Sequence, residues 1–82
     1  MTIRYTVEES AAFIHPKVSS HTYQVARVMD VELGSELFSR KTIDGVIRLA
    51  ADQSGIGKSV DIERVFSELV SSGFLSKIEV NK

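Results

Sequence analysis

Between Thr42 and Val80, two apolar stripes of helical pitch flank a turn punctuated by glycine, and this tandem constrains the chain more than any other feature. Ile43, Val46, Ile47, Ala50 and Ala51 fall at i, i+3, i+4, i+7 and i+8, which is one face of a helix. Ile62, Val65, Phe66, Leu69 and Val70 repeat the pattern. Thr42 is expected to cap the first helix, and Ser59 the second with Asp61 in its first turn. Gly55 and Gly73 follow the two helices, where a left-handed residue closes the last turn. Phe74 can then fold back, and Ser76 to Val80 alternates as a closing strand beside Leu75.

The N-terminal half is less decisive. Ile3, Tyr5 and Val7 alternate with Thr2, Arg4 and Thr6, the period of a half-buried strand. Thr6 and Glu9 have capping-box spacing and predict a short helix through about Ile14. Depending on its phase, that helix buries Ala11, Ala12 and Ile14, or Phe13. Pro16 stops it by disfavouring helical geometry at His15. Tyr23 to Leu33 fits both periods. Its length and Gly34 favour a helix, with Ser19 or Ser20 as the cap. Two lone strands leave ladders unsatisfied, so they should pair with each other or with a short piece near Leu37 and Phe38.

At 82 residues the chain holds one domain, residues 1–82, with room for a single core. It has no cysteine, so disulfides and thiolate metal sites are excluded. No apolar run approaches the roughly 18–20 residues of a membrane span. Met1 to Tyr5 lacks the apolar block of a signal peptide, so the expected location is cytoplasmic.

The segment from Thr42 to Val80 resembles the core of winged-helix domains: helix, turn, amphipathic helix, Gly-Phe-Leu exit, strand. The resemblance covers about half the chain and rests on pattern. It implies a DNA-binding regulator whose recognition helix is the second of these, the one with Ser59 as its expected cap. Two features depart from the family. The Ser54–Ser59 connection is longer than the three- to four-residue turn usual in such units. The second wing strand is missing, so the N-terminal strand must take its place or the wing is absent.

Charge on the would-be recognition helix argues against DNA. Outside its stripe lie Asp61, Glu63, Arg64, Ser67 and Glu68, three carboxylates against one guanidinium. Phosphate contacts need Lys or Arg. Arg64 can read a guanine edge or pair along its own helix with Asp61, Glu63 or Glu68. Arg40, Lys41, Arg48 and Lys58 form a cationic group that would hold phosphates if they share a face, or ordinary solvated surface if they do not.

Other motifs are weaker. Ser54-Gly55-Ile56-Gly57-Lys58-Ser59 resembles the end of a phosphate-binding loop, but Asp52 stands where that motif needs glycine. His15 and His21, even with Asp30, Glu32 and Glu36, make a poor metal set. No Gly-x-Ser-x-Gly elbow occurs. Phe66 completes a stripe and belongs in the core. Phe13 and Phe38 lie in short elements, and either one, if exposed, would mark a protein-binding or dimer surface.

The expected fold is a mostly helical α+β domain of winged-helix type, with three or four helices and a two- or three-stranded antiparallel sheet. The expected function is non-enzymatic: an adaptor or inhibitor that binds a protein through Asp61, Glu63, Arg64 and Glu68, without cofactor or metal. The alternative is a winged-helix DNA-binding regulator, dimeric, using Arg40, Lys41, Arg48, Lys58 and Arg64.

Overall fold

The computed structural model describes residues 2–33 and 36–80, apart from the side chain of Glu32. Gly34, the expected stop of the helix over Tyr23–Leu33, lies outside them, as does the Glu32 carboxylate. The fold is α+β. Strand β1 (Thr2–Val7) leads into helices α1 (Ala11–Ile14), α2 (Ser20–Glu32), α3 (Arg40–Gln53) and α4 (Ile62–Ser71), and strand β2 (Leu75–Val80) closes the order. A 3-10 turn, His15–Lys17, carries Pro16 directly behind α1.

The two strands pair antiparallel, with Thr2 opposite Val80 and Val7 opposite Leu75. The piece near Phe38 joins them: Tyr5 N–H donates to Phe38 O at 2.8 Å, and Phe38 N–H donates to Tyr5 O at 2.7 Å. Both expected pairings therefore occur, and β1 lies between Phe38 and β2. Because Tyr5 spends both backbone groups on Phe38, the Tyr5–Lys77 pair is a non-hydrogen-bonded one.

The ambiguous segment is helical. Val25, Ala26 and Met29 are fully buried on the inner face of α2 against the stripes of α3 and α4. Ile43, Ile47, Ala50 and Ala51 from α3 and Val65, Phe66 and Leu69 from α4 complete that core, as their spacing predicts. In α1 the phase buries Ala11 and Ile14 and leaves Phe13 67% exposed.

Three expected caps lie elsewhere. Thr6 stays in β1, paired with Ser76, and Ser10 caps α1. Ser39, not Thr42, caps α3; its hydroxyl accepts the Thr42 N–H and donates to the Thr42 hydroxyl at 3.0 Å. Ser19 and Thr22 make the same arrangement at α2. Asp61, not Ser59, caps α4, accepting the Arg64 N–H. The physical cause is shared: several Ser, Thr and Asp residues sit within one turn of each start, and each can cap. Tertiary contacts select among them.

The exits follow expectation. Gly55 has φ +76°, with Ile56 N–H bonded to Ala51 O and Gly55 N–H to Asp52 O, the paired bonds of a Schellman closure. Gly73, at φ +93°, turns Phe74 back into the core, where it is fully buried. The α3–α4 connection spans residues 54–61, longer than a helix-turn-helix turn.

Candidate functional site

The residues singled out on α4 are mostly engaged within the domain. Asp61 faces the positive N-terminus of its own helix as the cap. Glu63 accepts from Arg40 Nη2 at 2.7 Å. Arg64 Nε donates to Glu68 Oε2 at 2.9 Å, the i, i+4 pairing that the sequence allowed.

Glu68 does more than pair with Arg64. Its other oxygen, Oε1, accepts the Ser19 N–H at 2.8 Å, across 49 residues of chain. In a capping box, the acid at the third helical position bonds back to the N–H of the cap residue. In α2 that position is Thr22, which cannot bond back as Glu does, and Glu68 of α4 takes over from outside. The bond to Ser19, foremost, holds the Glu68 carboxyl below its ordinary pKa of 4.5, with help from Arg64. Asp30 of α2 acts similarly on α1, accepting the Ala11 N–H at 3.0 Å.

Arg40 is a second junction. Its Nε donates to Asp44 at 2.9 Å and its Nη2 to Glu63, and its guanidinium lies 3.7 Å from the Phe66 ring centroid. Tyr5 meets Phe66 edge-on at 5.0 Å. The bond to Asp44, ahead of the one to Glu63, raises the Arg40 pKa further above its ordinary value. Arg40 thus ties α3 to α4 and covers the face of a buried aromatic. It does not stand free as a phosphate clamp, a correction to its grouping with the other cations.

Replacing Arg40 with alanine is expected to cost about 1–2 kcal/mol, from a cation–π contact and two partly exposed ion pairs. Arg40→Lys should recover only part of it, because an ammonium cannot form the same fork over the ring. Urea unfolding of both variants measures this, and an alanine midpoint equal to that of the parent protein would discount the junction.

Lys41, Arg48 and Lys58 are exposed, and among the described residues none of them forms an ion pair. Lys41 and Arg48 are seven residues apart on α3 and so share a face. The Asp52 carboxylate lies directly over Gly57, where a Cβ would sit. A phosphate entering the Ser54–Ser59 turn would meet that acid, so the turn is poorly shaped for nucleotide. His15 packs edge-on against Tyr23 at 4.4 Å, and no cluster of three metal-binding groups forms among the described residues. An open cleft of about 870 Å³ lies between α1, α2 and the end of α3, with Ala12, Tyr23, Arg27 and Val31 on its walls. Nothing in the periodicity of the sequence pointed to it, since it depends on how α1 lies across α2.

No helix among the described residues is long and apolar enough to cross a membrane. Compared with known protein families, curated proteins and solved structures, the chain gives no match.

Proposed function

We propose that this domain is a non-enzymatic module that binds a protein partner through the outer face of α4. The observation that carries this reading is the charge left on that face once internal pairs are counted. Arg64 is matched by Glu68, and the single charge of Arg40 is shared between Asp44 and Glu63, which leaves the group with an excess of negative charge. Asp61 and Glu63 remain exposed to solvent beside Ser67. A groove lined by phosphates is a poor match for such a surface, whereas a protein surface bearing Lys or Arg is a good one. A chain without cysteine has no need of an oxidising compartment, in keeping with a cytoplasmic setting.

The second reading is a winged-helix DNA-binding regulator. It draws support from Lys41, Arg48 and Lys58, which form no ion pair among the described residues, and from β1 lying alongside β2 where a wing strand would be. One titration separates the readings: labelled random duplex DNA at about 50 mM salt, followed by anisotropy. The protein-binding reading expects no association. Micromolar, salt-sensitive binding would overturn it, and Lys41→Ala with Arg48→Ala should then flatten the log–log salt slope by about 1–2. In the protein arm, capture from a lysate should be lost with Glu63→Lys and kept with Lys17→Glu. Retention that survives Glu63→Lys would remove α4 from the account.

A further inference from the structure

Among the described residues the outer edge of β2 is unpaired. In the β1–β2 register, Ser76, Ile78 and Val80 direct their backbone groups toward β1, because they oppose Thr6, Arg4 and Thr2 at hydrogen-bonded positions. Leu75, Lys77 and Glu79 therefore direct theirs outward, and no described residue bonds to them. An open edge of this kind is a template for another strand.

Side chains on the edge specify which strand. Lys77 and Glu79 lie on one face and are exposed. Their partners across β1, Tyr5 and Ile3, are uncharged, and neither makes an ion pair among the described residues. On the other face lie Ile78 and Val80, half exposed and outside the core. Charges on an edge strand usually discourage pairing. Here their spacing makes the edge complementary to itself.

We propose that β2 pairs with β2 of a second copy in an antiparallel, two-fold arrangement centred on Ile78. In that register Lys77 opposes Glu79 of the second copy, and Glu79 opposes its Lys77. Both are outward-facing positions, so each pair can exchange two backbone hydrogen bonds as well as opposite charges. Ile78 meets Ile78 of the second copy at the closer, non-hydrogen-bonded position, flanked by Ser76 and Val80. Sliding the register by two residues in either sum sets Lys77 against Lys77 or Glu79 against Glu79, which disfavours both neighbours. The product is a four-stranded sheet across an isologous interface. This surface is separate from α4, so the inference does not depend on the function proposed above.

The interface is small, so the dimer should depend on concentration. Sedimentation equilibrium of the full chain, from micromolar to about millimolar, measures it. Lys77→Glu and Glu79→Lys each place like charges at both opposed positions, and each should weaken self-association by about 10–100-fold. The double variant Lys77→Glu/Glu79→Lys restores opposite charges and should dimerise like the parent protein. An equimolar mixture of the two single variants should form a heterodimer. Both positions changed are exposed edge sites, and circular dichroism melts will verify that each variant is folded. A monomer at every concentration overturns the proposal. So does a dimer that the single reversals leave unchanged, since it would be using another surface.

Discussion

Truncating Phe74 to alanine is expected to cost about 3–5 kcal/mol, the range for removing a buried aromatic side chain. Phe74 is fully buried, and the Gly73 turn delivers it to the core at the point where α4 gives way to β2. A domain of 82 residues has roughly 4–12 kcal/mol of stability in total, at about 0.05–0.15 kcal/mol per residue. One substitution therefore removes a large share of it, and the urea midpoint should fall in proportion. Phe13→Ala provides the internal control. The same side chain is removed there from a site 67% exposed, and stability should change by no more than about 0.5 kcal/mol. Chemical unfolding of the two variants side by side measures the contrast. Equal effects would mean that Phe74 does not occupy the core as described.

Removing Glu68 should have the second largest effect, and it should depend on pH. Glu68→Ala leaves the half-buried Ser19 N–H without its acceptor and Arg64 without its partner, an expected loss of about 1.5–3 kcal/mol for a hydrogen bond to a charged group. The folded-state pKa of Glu68 lies below its ordinary value of 4.5, chiefly because the carboxylate accepts from Ser19. The folded protein thus binds that proton less tightly than the unfolded chain does. Its contribution is fully present above about pH 4.5 and is lost as pH falls through the lower folded pKa. The stability gap between the parent protein and Glu68→Gln should be constant near neutrality and shrink in acid. Urea midpoints of both proteins at about pH 7 and about pH 3 test this. A gap unchanged between the two would mean that the Glu68 charge is not held by Ser19.

Much of the fold was legible from spacing. The α3 and α4 stripes, the Gly55 and Gly73 exits and the return of Phe74 each follow from one turn of local geometry. The pairing of β1 with β2 and with Phe38 was legible for a different reason: backbone groups must be satisfied, and few partners were on offer. The Arg64–Glu68 pair was legible as well, because i, i+4 neighbours on a helix meet whatever lies around them.

The candidate site was much less legible. By charge alone Arg40 groups with Lys41, Arg48 and Lys58, yet its partners Glu63 and Phe66 lie more than twenty residues away on another helix. In the sequence Glu68 is one surface acid among others, and only the packing of α2 brings the Ser19 N–H within its reach. For Glu68 a faint signal existed: it borders the buried stripe of Val65 and Leu69, where an acid is half covered once α4 packs. For Arg40 there was none.

The sequence by itself determined the helices of the C-terminal half, where they end, and which residues they bury. Periodicity and glycine act over a single turn, and no distant contact is needed to express them. Tertiary structure alone decided where three of the four helices begin, which distant groups the carboxylates of α4 engage, and that β2 keeps an open edge among the described residues. Each of those outcomes depends on a competition among several chemically adequate partners, and only the packed chain brings the winning one within hydrogen-bonding distance.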